Sequence, residues 1–164
     1  MKAVANSSVL IALSNIGRLE LIPQRFPEGI SIPQAVWREV IEAGASRPGV
    51  AELKSAAWLT VHPVQDHGLV SLLRTELDEG EAEAIALGRE QQAGVLLLDE
   101  KDARQAAMRL KFPVLGTVGL LIWAKRKGLI AKLSEELDIL QTQGRFHLSR
   151  SVYEEALRAV GEES

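Results

Sequence analysis

The 164-residue chain contains no cysteine, which removes disulfides, thiolate nucleophiles and thiolate zinc sites in one step. Histidine is nearly as scarce: of the three present, His62 and His67 lack the helical spacing of a metal pair and His147 stands alone, so no histidine zinc site is expected. Long apolar runs are missing as well. The start, Met1-Lys2-Ala3-Val4-Ala5-Asn6, soon turns polar, and no run approaches the ~20 residues that span a bilayer; the expected setting is the cytoplasm. Charge of one sign does not dominate either. The formal net charge is only −3, so the chain has no global field for nucleic acid, and any RNA or DNA contact must rest on a local basic patch. Repeats, low-complexity tracts and linkers are also absent. With 46% hydrophobic and 25% charged residues, the chain is expected to bury a proper core as one domain over residues 1–164.

What is present is best seen in Ala93-Gly94-Val95-Leu96-Leu97-Leu98-Asp99-Glu100-Lys101-Asp102. A continuous Val/Leu run after a glycine reads as a strand buried on both faces, the kind found in parallel sheets covered by helices. Ligands in such sheets bind beyond the carboxyl ends of the strands, where Asp99, Glu100 and Asp102 would sit. Carboxylates crowded there repel one another unless a cation, a proton or a basic group relieves them, and a divalent metal is the natural candidate. The competing reading is that these acids only start the next helix.

Helical and strand patterns alternate along the rest of the chain with short Gly/Pro punctuation, which predicts an α/β fold with a mainly parallel sheet. Strands are expected at Lys2–Ala5, Gly29–Ile32, Leu59–Val61 (short or at an edge), in the run ending at Leu98, and at Pro113–Leu115. Helices are expected from Val9 to Ile16 with Gly17 as the stop, from Leu19 to Phe26, and from Pro33 to about Ala43 before a loop at Gly44–Pro48. Asp78 and Glu81 have capping-box spacing and open a helix to about Gln92. Further helices are expected at Asp102–Leu110, Val118–Lys127, Ala131–Gln143 and Ser151–Val160. Trp37, Trp58 and Trp123 fall in helical or strand settings and are read as core or interface rather than as base-stacking platforms.

Four blocks in order, Asn6-Ser7-Ser8-Val9-Leu10-Ile11-Ala12-Leu13, Gly80-Glu81-Ala82-Glu83-Ala84-Ile85-Ala86-Leu87, Leu97-Leu98-Asp99-Glu100-Lys101-Asp102-Ala103-Arg104 and Gly116-Thr117-Val118-Gly119-Leu120-Leu121, resemble the PIN-domain superfamily. The resemblance is strongest to a prokaryotic branch of PIN-like proteins related to the VapC toxins, and extends to the ending Ser151-Val152-Tyr153-Glu154-Glu155-Ala156-Leu157. It implies a three-layer α/β/α sandwich whose acids meet at one end of the sheet, bind Mg²⁺ or Mn²⁺ and hydrolyse RNA phosphodiesters. It also implies a homodimer and a small antitoxin protein as partner. Hard divalent cations prefer oxygen ligands, which suits a site without histidine.

Carried over position by position, the resemblance departs first at Asn6, a neutral amide where the family has an aspartate. Its oxygen can still ligate Mg²⁺, though more weakly; otherwise Asn6 is a helix cap. Ser8 matches the family serine that orients that side chain or a metal water. Glu39 matches the second acid: at about 100° per residue, Val36, Trp37, Val40 and Ile41 define one helix face, Glu42 lies opposite, and Glu39 falls on the flank, from which it can reach a cleft. A solvated surface glutamate is the alternative. Glu81 matches the third acid, directly after Gly80, with Glu83 as second choice and a capping box with Asp78 as the bland reading. Asp99 leads for the last acid, with Glu100 and Asp102 as further candidates. The expected metal set is therefore Asn6, Glu39, Glu81 and Asp99. Thr117 either caps its helix or touches phosphate. Arg104, one turn past the acids, and Lys125, in the dense basic run Lys125-Arg126-Lys127, are candidate phosphate contacts, although basic residues before Gly128 also suit a helix C-terminus.

Three functions compete. A metal-dependent endoribonuclease of VapC type comes first, and a catalytically weak or inactive PIN-like module that binds RNA or a partner protein comes second. A phosphoacceptor receiver domain comes last, because it needs paired acids after its first strand and Asn6-Ser7-Ser8 offers none.

Overall fold

The computed structural model describes residues 1–44, 46–144 and 146–163. Five strands, β1 (Ala3–Ala5), β2 (Ile30–Pro33), β3 (Leu59–His62), β4 (Val95–Leu97) and β5 (Val114–Leu115), form one sheet in the order β3-β2-β1-β4-β5. Every pairing in it is parallel. The two central strands are buried along their whole length, as their unbroken apolar runs predict. Alternation of side chains across a strand then divides the core in two. Ala3, Ala5, Val95 and Leu97 face one layer, with side chains from α1 (Ser7–Asn15), α2 (Leu21–Arg25), α8 (Thr117–Arg126), α9 (Leu133–Thr142) and α10 (Arg150–Ala159). Val4, Leu96 and Leu98 face the other, with side chains from α5 (His67–Leu73), α6 (Glu79–Gln91) and α7 (Lys101–Arg109). The architecture is the α/β/α sandwich. β3 is the exposed edge, with Val61 38% exposed.

Several boundaries differ from the sequence reading, each for a local reason. α1 starts at Ser7 rather than Val9 because Asn6 holds extended backbone (φ −90°, ψ 168°) at the N-cap position, so both serines enter the first turn. Pro33 is not the first helical residue. It ends β2 paired with His62 and precedes α3 (Gln34–Trp37). α3 then widens into a π-helical turn, Arg38–Glu42, a form concentrated at functional sites. Two short helices, α4 (Val50–Ser55) and α5, occupy stretches in which no helix was expected. The expected loop at Gly44–Pro48 includes Ala45, which lies outside the described residues. The parallel register brings Asn6 and the residues after Leu97 to the same sheet end: Ala5 pairs with Leu97, and the Asn6 amide donates to the Leu97 carbonyl at 3.0 Å.

Candidate functional site

The acidic end is built in two halves. On the β1 side, Asn6 is buried, and its side chain makes no capping bond to α1, which corrects the capping alternative. Its Oδ1 lies 3.5 Å from Ser7 Oγ, and Ser7 Oγ donates to Glu39 Oε2 at 2.7 Å. Glu39 reaches this point from the π-helical turn, half-buried on the flank, while Val40 and Ile41 enter the core. Gly80, in the first turn of α6, leaves the space for it. A Cβ there would stand 2.3 Å from Glu39 Oε1 and 3.3 Å from Asn6 Oδ1, so the two oxygens face the same small volume.

Glu81 adjoins that volume and closes the expected capping box. Its Oε1 accepts from the Asp78 amide at 3.1 Å, and its own amide donates to Asp78 Oδ1 at 2.8 Å. Glu83 is engaged elsewhere: its Oε1 accepts from the Ala35 amide at the start of α3 at 3.2 Å.

On the β4 side, Asp99 accepts two bonds from one residue. The Thr117 amide and hydroxyl both donate to it, to Oδ1 and Oδ2, each at 2.7 Å. The carboxylate therefore caps α8, and Thr117 is the donor. Thr117 is fully buried, so its hydroxyl serves Asp99 and does not face a phosphate. Glu100 occupies the N-cap position of α7 without a side-chain capping bond, Asp102 lies in the first turn, and both are exposed. Arg104 is exposed one turn on, and its charge favours the ionised form of Asp99. Ser8 Oγ is buried without a hydrogen-bond partner among the described residues, and Ser8 lines a groove with Asp99 and Glu100.

Lys125 does not join this group. It sits near the opposite end of α8, about 12 Å along the axis from Thr117 at about 1.5 Å per residue. There its Nζ donates to the Ala131 carbonyl at 2.7 Å and lies 3.8 Å from Glu162. Three participants escaped the sequence reading. Ser7 holds Glu39, and Phe146 and His147, in the connector between α9 and α10, line the same two grooves as Asp99. Phe146 and His147 are brought in by long-range packing that no local pattern announces, and Ser7 by the early start of α1.

The acids are poorly compensated. Glu39, Glu81 and Asp99 all have pKa values raised from their ordinary values, and in each the largest cause is burial. The Ser7 bond offsets part of this for Glu39, while the charges of Asp78 and Glu79 add to it. Glu81 is pushed further by Asp78, Glu100 and Glu39. Groups whose pKa values are shifted in this way gather at functional sites.

A family model described as PIN domain matches residues 2–162. The chain belongs to the PIN-domain family. No curated protein matches it. A PIN domain is a nuclease-type fold, generally an RNA binder and typically dependent on divalent metal. The donors of this PIN domain suit such a metal in kind: they are hard oxygens, two of them converge over Gly80, the nearby carboxylates are short of compensation, and Ser8 Oγ lacks a partner. In arrangement, no group of three or more His, Asp or Glu stands ready to hold an ion among the described residues. No helix among them is long and apolar enough to cross a membrane.

Proposed function

We propose that this PIN domain is a metal-dependent endoribonuclease of the VapC toxin type, slowed by the neutral Asn6. The observation that carries the reading is the convergence of Asn6 Oδ1 and Glu39 Oε1 on the space that Gly80 leaves open, beside a desolvated Glu81 and at the sheet end that also carries Asp99. Asn6, Glu39, Glu81 and Asp99 would hold Mg²⁺ or Mn²⁺. The bound ion supplies Lewis-acid stabilisation of charge building on the phosphate and lowers the pKa of a water. The chain's own part is positioning. Ser7 fixes Glu39, Thr117 fixes Asp99, the capping box fixes Glu81, and Arg104 offers a cation to a phosphate oxygen from the open side. Glu100, exposed in the groove it shares with Asp99, and Asp102, exposed in the first turn of α7, are the acids that would take a proton from the reacting groups. This reading carries with it a cytoplasmic setting, a homodimer and a small antitoxin.

Two observations favour a second reading, a weak or inactive module that binds RNA or a partner protein. Asn6 brings no charge to the site, and both oxygens of Asp99 are already engaged by Thr117. Cleavage of a mixed RNA pool across an Mg²⁺ and Mn²⁺ titration separates the two, with Asp99→Asn as the blank. The enzyme reading expects slow metal-dependent cleavage by the natural chain and several-fold faster cleavage by Asn6→Asp at limiting metal, because a carboxylate binds a hard cation better than an amide does. If Asn6→Asp gains neither cleavage nor metal affinity, the binding module takes its place.

A further inference from the structure

Helix α3 begins without a cap of its own. Pro33, at its N-cap position, makes no side-chain capping bond, since proline has no side-chain oxygen, and a helix this short leaves its first amides without partners inside it. The acceptor comes from another helix. Glu83 Oε1 on α6 takes the Ala35 amide at 3.2 Å, and Ala35 is the second residue of α3, the donor that an N-cap side chain ordinarily serves. One turn earlier on the same face of α6, Glu79 Oε1 accepts from Arg38 Nη2 at 2.5 Å, where the π-helical turn begins. Gly80 lies between these two glutamates in the chain, and its missing Cβ leaves the space that Glu39 Oε1 occupies.

We infer that Glu83 is a positioning residue for Glu39: as a cap supplied by α6, it fixes the start of α3 and with it the direction in which Glu39 leaves the π-helical turn toward Gly80. Glu39 follows Ala35 by about one turn, so fraying at the start of α3 is passed on to it. A π-helical turn is rare in itself, and this one has few bonds of its own behind it. Glu83 is half-buried, and its bond sets a charged acceptor against a helix N-terminus, which makes it stronger than a neutral bond. The Arg38–Glu79 pair is open to solvent on both sides, at 50% and 41% exposure, and surface pairs of that kind contribute little. Glu83 therefore carries most of the hold. The inference rests on the metal reading for what Glu39 does once placed, whereas the placement itself needs no metal.

The test compares Glu83→Leu and Glu83→Gln with the natural chain, and circular dichroism checks the fold of each. Leucine keeps the bulk and removes the acceptor; glutamine keeps an oxygen for the Ala35 amide and removes the charge. Mn²⁺ affinity is read by titration calorimetry. The hold on the turn is read separately, by hydrogen exchange at the Ala43 amide, which donates to the Arg38 carbonyl at 2.8 Å across the π-helical turn. Glu83→Leu is expected to bind Mn²⁺ about ten-fold more weakly, because apparent affinity falls with the fraction of molecules in which Glu39 is placed. Ala43 should then exchange about ten-fold faster, as local opening becomes easier. Glu83→Gln should stay within about two-fold of the natural chain in both readings, because the placed fraction is kept. Glu83→Asp, whose shorter side chain falls short of Ala35, is the milder variant to use if the leucine form does not fold, with a several-fold loss expected. Unchanged Mn²⁺ affinity in a folded Glu83→Leu or Glu83→Asp overturns the positioning role. An equal loss in Glu83→Gln also overturns it, since charge rather than the bond would then set the affinity. If the natural chain binds no Mn²⁺, the metal reading fails by itself and Ala43 exchange decides the placement: a rate that Glu83→Leu leaves unchanged overturns it, and a faster rate that glutamine restores upholds it.

Discussion

The two halves of the acidic end use carboxylates in opposite ways. Asp99 accepts two short bonds from Thr117 and has Arg104 as a favourable neighbour, so its charge is invested in the first turn of α8. Glu39 has one protein bond, from Ser7, and faces other acids as well as the Asn6 oxygen across an open space. Burial opposes the charge of both, and hydrogen bonding separates a carboxylate that offsets this with two bonds helping to hold the fold from one that has a single bond and an open side. Proximity to the end of the sheet is common to both and does not distinguish them.

Removing Asp99 should break this contrast most severely. Asp99→Ala leaves a buried amide and a buried hydroxyl of Thr117 without their acceptor, and bonds to a charged acceptor are worth about 1.5–3 kcal/mol each. The expected loss is about 2–4 kcal/mol by chemical denaturation. Asp99→Asn should recover most of it, because one amide oxygen still accepts and the Thr117 hydroxyl can accept from the amide nitrogen. A loss for Asp99→Ala no greater than for Asp99→Asn would mean that the cap contributes little.

The Glu39 side should respond to ions instead. Mn²⁺ at a hundred times its Kd is expected to stabilise the protein by about 2.7 kcal/mol, and no thermal shift at millimolar Mn²⁺ would count against a metal site. Without metal, the dependence on pH follows from the raised pKa values. Starting from the ordinary values, 4.5 for glutamate and 3.8 for aspartate, the folded protein holds these protons to higher pH than the unfolded chain does. The contribution is fully present below the ordinary values and is lost as pH rises through the folded ones. The natural chain should lose more stability between pH 4 and pH 7 than Glu39→Gln, whose amide still accepts from Ser7 and does not ionise. Equal slopes in the two proteins would show that Glu39 is solvated after all.

Gly80 gives a sharper division between space and stability. A Cβ at this position meets the far end of the flexible Glu39 side chain rather than backbone, so Gly80→Ala should fold within about 1 kcal/mol of the natural chain, helped by the better helix propensity of alanine. The volume shared by Asn6 and Glu39 is filled, so the response to Mn²⁺ should disappear. A variant that keeps the full thermal shift would place the ion elsewhere.

What could be read from the chain follows from how local each signal is. The Val95–Leu97 strand and the Asp78/Glu81 box are written in adjacent residues, and both form as expected. The five strands, their parallel pairing and the covering helices follow from alternation and punctuation, which are also local. Short helices such as α4 and α5 carry too few residues for periodicity to register. The π-helical turn that carries Glu39 is a matter of backbone spacing that side-chain pattern does not encode. The place of Phe146 and Asp99 in the same grooves depends on where α9 and α10 dock, and Ser7 reaches Glu39 because α1 starts earlier than its apolar pattern does. Lys125 shows the converse: a dense basic run is conspicuous in one dimension, yet it lies at the wrong end of its helix.

Glu81→Gln should have the smallest effect on stability and therefore discriminates most finely between the two uses of a carboxylate. Glu81 belongs to both, since its Oε1 completes the capping box with Asp78 while its charge is opposed by burial and by Asp78, Glu100 and Glu39. Glutamine keeps the first property, because its amide oxygen can accept from the Asp78 backbone, and it removes the second. Stability without metal at neutral pH should then change by less than about 0.5 kcal/mol or rise slightly, as a desolvated charge is exchanged for a neutral acceptor. The same substitution removes a charged oxygen donor, so the Mn²⁺-induced thermal shift should shrink if Glu81 shares in holding the ion. An unchanged shift, with unchanged stability, would leave Glu81 as a helix cap alone and confine the metal-facing oxygens to Asn6, Glu39 and Asp99.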